Sequence, residues 1–65
     1  MRIEFNGQSL LTEAATLADL VTERGFAPDT VATAVDGGFV PRSARAAVPL
    51  REGLRVEVLS PMQGG

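Results

Sequence analysis

The sequence predicts an α+β domain in which one main helix packs across one face of a mixed sheet of about five strands. Polar and apolar residues alternate over residues 1–5 and again over residues 54–59, as in strands with one buried face. Between them, residues 17–24 carry apolar side chains at helical spacing. At 65 residues, 45% of them hydrophobic, the chain suits one small core and is too apolar for disorder.

The first two strands are predicted to form a hairpin around Asn6-Gly7. This dipeptide is typical of a type I′ turn, because both central positions of that turn need a positive φ. Residues 8–12 then return as the second strand. The pattern leaves open whether Leu10 or Leu11 faces the core.

A helix of about eight residues is predicted to begin after Thr16. The Thr16 hydroxyl can cap a free backbone N–H, and Asp19 suits the positive end of the helix. Arg24 is expected in the last turn, and Gly25 is expected to cap the C-terminus. One face of the helix is apolar and must dock on the sheet: Leu17, Leu20 and Val21.

Three further strands are predicted at residues 31–35, 39–40 and 54–59, separated by turns at residues 36–38 and 51–53. Residues 42–48 carry weak signals, consistent with one helical turn beginning at Ser43. The first and last strands alternate most regularly, so we expect them to form the central pair of the sheet. The predicted core is Phe5, Leu17, Leu20, Val21, Val56 and Val58.

The face of the sheet opposite the helix is expected to be uncovered. Four apolar residues are candidates to line it and to leave a surface for a partner: Ala32, Ala34, Phe39 and Leu59. Arg42, Arg45 and Arg55 are expected to be exposed, where arginines are usually solvated but can also meet acidic partners.

The domain is expected to occupy residues 1–60, followed by a flexible tail at 61–65. Pro61 has no N–H to donate, so it interrupts the strand ladder. Four extended residues then carry the terminal carboxylate roughly 14 Å from the domain. Gly64 and Gly65 have no Cβ, so the tip can pass through a channel that excludes side chains.

Composition argues against several function classes. The chain has neither cysteine nor histidine, so it has no thiol nucleophile, imidazole base or usual zinc ligand, and a self-contained enzyme is not expected. Its net charge of −2 and three aromatic residues are unlike those of nucleic-acid binders. The amino terminus alternates in polarity from Met1 onward, unlike a signal peptide or a membrane span, so we expect a cytoplasmic protein.

These motifs together resemble the ThiS-type sulfur carriers of the ubiquitin-like β-grasp family. The resemblance runs over nearly the whole chain, through residues 3–7, 16–20, 34–37, 40–42, 50–53 and 56–58 to the terminal Gly64-Gly65. Two positions depart from the family pattern. Asp36 stands where asparagine is common in the turn, and Leu54 where an acidic residue is common.

The resemblance implies that Gly65 is a substrate. A ThiF-like partner would adenylate its carboxylate with ATP and Mg²⁺, and sulfur from a cysteine desulfurase or another persulfide source would convert it to a thiocarboxylate. A ThiG-like thiazole synthase would then take the sulfur for thiamine biosynthesis. The chain itself is expected to bind no cofactor and to contact its partners through Phe39, Leu59, Met62, Gln63 and Gly64.

Three other functions remain open from the sequence. The same chemistry could serve molybdopterin, amino acid or natural product synthesis. A β-grasp binding module would recognise partners through its sheet and never use its terminus chemically. Attachment to protein lysines would begin with the same adenylation.

Overall fold

A computed structural model describes residues 1–61 and contains five strands, one α-helix and two short 3-10 helices. The strands are β1 (Arg2–Phe5), β2 (Gln8–Leu11), β3 (Ala32–Val35), β4 (Gly38–Val40) and β5 (Arg55–Leu59). The helix is α1 (Leu17–Glu23), and the 3-10 helices span Pro28–Thr30 and Arg42–Ala47.

The five strands form one mixed sheet in the order β2-β1-β5-β3-β4. The central strand β5 runs parallel to β1 on one side and antiparallel to β3 on the other. The expected pairing of the first and last strands is therefore confirmed. With the helix across one face, this is the β-grasp architecture that the resemblance implied.

The first hairpin turns at Asn6-Gly7, as predicted, with φ angles of 50° and 84°. The Asn6 side chain also ties this turn to β5, because its amide donates to the Val58 carbonyl at 3.1 Å and its oxygen accepts from the Val58 N–H at 2.8 Å. The strand register pairs Ile3 with Leu10. Leu10 thus packs against the core, and Leu11 is 65% exposed.

Helix α1 begins as predicted, because the Thr16 hydroxyl accepts the Asp19 N–H at 3.1 Å. It ends at Glu23, one residue earlier than expected. Gly25, with a φ of +82°, donates to Thr22, and the following residue, Phe26, donates to the carbonyl of Val21. This pair of bonds is the Schellman arrangement that closes a helix at a glycine.

Arg24 lies just beyond the last turn rather than in it. Its guanidinium instead stands 5.9 Å from the centre of the Phe5 ring, a distance at which a cation is attracted to the aromatic face. Phe5 is only half-buried, so it borders the core and is not one of its central members.

The core lies between the helix and the sheet. Five of the six residues predicted for it are buried: Leu17, Leu20, Val21, Val56 and Val58. Four further apolar residues complete the buried set: Ile3, Ala14, Leu50 and Leu54. Leu54 was predicted to begin the last strand, but β5 begins one residue later. The Leu54 N–H donates to the Arg51 carbonyl within the turn instead of joining the sheet.

The weakly patterned segment before this turn is more regular than expected. It forms a six-residue 3-10 helix that begins at Arg42, one position before the expected start. The other strand boundaries move by one residue: β3 begins at Ala32 because Val31 caps the preceding 3-10 helix, and β4 begins at Gly38, which pairs with Val35.

Candidate functional site

An apolar patch lies on the sheet face opposite the helix. Register places Ala32 beside Leu59 and Ala34 beside Phe39, so all four side chains emerge on the same face. Phe39 is 71% exposed and Leu59 is 65% exposed. The sequence-based placement of these four residues on the open face, hereafter the apolar patch, is confirmed.

The two small residues of the patch leave a hollow between the two large ones. Its volume is about 120 Å³, and it is bounded by Phe39, Leu59 and Glu57 around the alanines. Glu57 reaches this rim because it pairs with Ala34 across β5 and β3. The hollow is an apolar recess, with a carboxylate at its edge, into which a partner side chain would fit.

A wider groove continues from the patch toward the end of the described chain. It has a volume of about 600 Å³ and is lined by residues 29–32 on one side and 59–61 on the other. We call it the exit groove. Ala32 and Leu59 belong to both the exit groove and the apolar patch, so the two form one continuous surface.

Charged side chains divide the open face into two parts. Arg2 and Glu4 on β1, together with Arg55 and Glu57 on β5, form a band along the middle strands, and all four residues are exposed. Beyond the band, at the β2 edge, lies the exposed Leu11. The apolar patch therefore occupies the β3–β4 side, separated by charge from the other exposed leucine on this face.

An ion pair stands beside the exit groove. Arg42 contacts Asp29, which lines the groove, and both side chains are largely exposed. Arg55 is also exposed, as expected. Its backbone N–H donates to the Asp36 carboxylate at 3.4 Å.

The structure corrects the expectation for Arg45. This residue is 4% exposed, and its guanidinium donates to Thr33, Pro28 and Val31 within the domain. It therefore cannot meet a partner's acidic surface. Nothing in the local sequence separates it from the exposed Arg42, since burial of one and not the other depends on how the 3-10 helix packs.

The expected tail residues Met62, Gln63, Gly64 and Gly65 lie outside the described residues. Within residues 1–61, no group of three or more acidic side chains is close enough to hold a metal ion. The one α-helix found there is too short to cross a lipid bilayer.

The comparisons with known proteins agree on one family. The ThiS family pattern matches residues 2–65. A crystal structure of the thiamine biosynthesis protein ThiS from Geobacter metallireducens superimposes with a TM-score of 0.81 at 25% identity, over 100% of both chains. An NMR solution structure of the same Geobacter metallireducens target gives a TM-score of 0.84 at 26% identity, over 100% of this chain and 88% of that one.

No curated protein matches the chain at a comparable level of significance. The family match is decisive without one, because it extends over nearly every residue and the same fold recurs in both solved structures. The protein belongs to the ThiS family.

Proposed function

We propose that the protein is a sulfur carrier of thiamine biosynthesis whose terminal carboxylate, on Gly65, is activated and converted to a thiocarboxylate. The observation that carries this proposal is the ThiS family match, which runs over residues 2–65 and so includes the terminal Gly64-Gly65; the apolar patch at the end of β5 supplies a docking surface six residues before Gly65. The two solved structures, both of one thiamine biosynthesis protein from Geobacter metallireducens, support thiamine biosynthesis as the pathway that the sulfur serves.

The first step is adenylation. A carboxylate resists nucleophilic attack because it is charged and resonance-stabilised. A ThiF-like partner would therefore transfer AMP from ATP to the Gly65 carboxylate and release pyrophosphate, with Mg²⁺ held on the phosphates by the partner. The product is a mixed anhydride with AMP as a good leaving group.

The second step introduces sulfur. If hydrosulfide attacks the acyl-adenylate, AMP leaves and the thiocarboxylate forms directly. If the persulfide of a desulfurase-charged cysteine attacks, an acyl disulfide forms, and a thiol must reduce it to release the thiocarboxylate. The soft, anionic sulfur is then delivered to a ThiG-like thiazole synthase.

The folded domain positions the terminal carboxylate near the partner's active site. Docking through the apolar patch fixes Leu59, and the six residues that follow span at most roughly 20 Å. The carboxylate is therefore confined near the partner's active site at a high effective concentration, rather than arriving by diffusion alone. Large apolar side chains ringed by polar ones are typical anchors of such contacts.

The test is intact-mass spectrometry after incubation with ATP, an adenylating enzyme of this class and a sulfur source. We expect exchange of one oxygen for one sulfur, localised to Gly65 by fragmentation. An unchanged mass with an enzyme that is active on another carrier would refute the proposal. Omitting ATP is the matched control.

A binding module is the second candidate, because the same exposed patch would serve a protein that docks and does no chemistry. Deleting Gly65, or adding one residue after it, separates the two. A carrier loses all activity in either variant, since the reacting carboxylate is displaced, whereas a binding module keeps its partner affinity and its cellular function.

The pathway is tested separately from the chemistry. Deleting the gene should create a requirement for the thiazole precursor of thiamine, and the wild-type chain should relieve it. Relief by a molybdopterin or amino acid product instead would assign the carrier to another sulfur-transfer route.

A further inference from the structure

Arg45 joins three separate parts of the chain from inside the domain. Its Nε donates to the Thr33 hydroxyl at 3.0 Å, one terminal nitrogen donates to the Pro28 carbonyl at 3.0 Å, and the other to the Val31 carbonyl at 2.7 Å. Residues 29–32 line one side of the exit groove; Pro28 immediately precedes this segment, Val31 belongs to it and Thr33 follows it. The guanidinium thus lies behind one wall of that groove and holds both of its ends.

The network extends to the strand that carries Phe39. The Thr33 hydroxyl, besides accepting from Arg45, donates to the Val40 carbonyl at 2.8 Å. Val40 follows Phe39 on β4, and Thr33 lies between the two alanines of the apolar patch on β3. Arg45 is therefore connected to the exit groove directly and to the apolar patch through one hydroxyl.

Stability alone is a poor explanation for this arrangement. A buried cation must give up its hydration, and none of the ion pairs between described residues involves Arg45. Its partners are three neutral oxygens, which offset desolvation without a compensating charge. Removing the guanidinium would still cost stability, because three oxygens would lose their donor, but a buried network of this kind can in addition specify a single geometry.

We propose that Arg45 is a positioning residue that holds the exit-groove wall, residues 29–32, in the one conformation that the adenylating partner recognises. This inference rests on the proposed function, because it assigns a role in presenting the surface used for that chemistry. Arg45 touches neither the partner nor the reacting carboxylate. It acts through the carbonyls of Pro28 and Val31 and the hydroxyl of Thr33.

The geometry requires arginine specifically. Three donors diverge from one planar group to three acceptors on different elements, and a lysine ammonium cannot reach all three from a single point. Without the guanidinium, the wall would populate several conformations. The apparent affinity of a partner falls in proportion to the fraction of molecules in the competent conformation.

The experiment compares Arg45→Met, Arg45→Lys and Thr33→Val with Arg51→Met as the matched control. Arg51 makes a long, exposed contact of 3.8 Å to Asp36 and lines neither the exit groove nor the apolar patch. Each variant is first checked for cooperative thermal unfolding. All kinetic and NMR measurements are then made well below the melting temperature, so that every variant assayed is folded.

The first measurement is the ¹H–¹⁵N spectrum and amide hydrogen exchange of the free protein. Apart from the neighbours of residue 45 in its own 3-10 helix, we expect the shifted resonances and faster exchange in Arg45→Met to be concentrated in residues 29–33, 40 and 59–60, with smaller changes in Thr33→Val. Arg51→Met should leave these signals in place. If the groove-wall signals of folded Arg45→Met are unchanged, the positioning role is wrong. If Arg45→Met does not fold, unchanged groove-wall signals in Thr33→Val would overturn it instead.

The second measurement is the steady-state rate of adenylation against carrier concentration. We expect the KM for the carrier to rise about tenfold in Arg45→Met with kcat within about twofold, corresponding to a competent fraction of about one tenth. Arg45→Lys should recover part of the loss. A folded variant with altered spectra and wild-type KM would show that Arg45 only stabilises the wall and would overturn its role in recognition.

The two measurements also separate this inference from the proposed function. If no adenylating enzyme accepts the wild-type chain, the proposed function fails, and the role of Arg45 in recognition fails with it. The spectra of the free protein still decide whether Arg45 holds the groove wall.

Discussion

The two faces of the sheet use apolar residues in opposite ways. On the face toward the helix, Ile3, Val56 and Val58 are at most 3% exposed. On the other face, Phe39 of the edge strand β4 and Leu59 of β5 remain 71% and 65% exposed. Neighbouring residues of β5, Val58 and Leu59, thus have opposite environments because successive side chains point to opposite sides.

The buried side chains on the helix-facing side of the sheet stabilise the fold, whereas the exposed side chains on the open face are not needed for folding. Burial of the inner side chains drives folding, and their loss leaves a cavity. The outer side chains contribute little to folding, because they remain in water in both the folded and the unfolded state. Retaining large apolar groups in water favours association with a partner.

The largest expected effect is on the free energy of unfolding, when a leucine is shortened on each side of the sheet: Leu20 of helix α1 in the core, and Leu59 of β5 on the open face. Leu20→Ala, at a fully buried position, should lower the free energy of unfolding by about 2–5 kcal/mol. Leu59→Ala should change it by less than about 0.5 kcal/mol. Urea denaturation of both variants measures the difference, and equal losses would end the distinction between the two faces.

Partner binding should depend on one exposed leucine and not on the other. Leu59 and Leu11 are both 65% exposed on the same face, but only Leu59 belongs to the apolar patch. Leu59→Ala should raise the KM for adenylation about tenfold, which corresponds to about 1.4 kcal/mol, and Leu11→Ala should leave it unchanged. Similar effects of the two variants would place the docking surface elsewhere on this face.

Filling the hollow tests how closely a partner approaches the patch. Ala34→Leu adds a side chain into the space of about 120 Å³ between Phe39 and Leu59, on the face away from the core. We expect the free energy of unfolding to stay within about 0.5 kcal/mol and the KM to rise about threefold. Ala34→Ser keeps the hollow open, so it should behave as wild type; an equal KM for the two variants would mean that no partner group enters the hollow.

The smallest effect is expected at the exposed ion pair beside the groove. Arg42→Met should lower the free energy of unfolding by about 0.5 kcal/mol or less, and high salt should remove the difference. Arg45→Met leaves three oxygens without their donor and should cost about 1–3 kcal/mol regardless of salt. Thermal unfolding at two ionic strengths compares them, and equal salt dependence would contradict the burial argument.

Local chemistry made most of the fold predictable. The Asn6-Gly7 turn, the Thr16 cap and the alternation in β5 each follow from constraints that act within a few residues. The same alternation predicted that the Leu59 side chain would point away from the core. It therefore identified one of the two large exposed residues of the apolar patch. The choice between Leu10 and Leu11 depended on strand register, which the turn and the buried face fix together.

Long-range packing accounts for what the sequence did not reveal. Arg45 and Arg42 lie in one 3-10 helix, yet only Arg45 meets oxygens contributed by residues 28, 31 and 33. The exit groove likewise combines two segments about thirty positions apart, so no local pattern indicates it. A buried arginine among carbonyls becomes visible only when the tertiary contacts are known.

The position of β5 also bears on how the protein is made. The strand in the middle of the sheet is the last of the five along the described chain, and both of its neighbours are synthesised first. A chain ending before residue 55 would have two separate hairpins, β1–β2 and β3–β4, and no strand to pair them into one sheet. Translation must therefore pass residue 55 before the sheet can close, so a shorter product has no assembled sheet face to offer a partner.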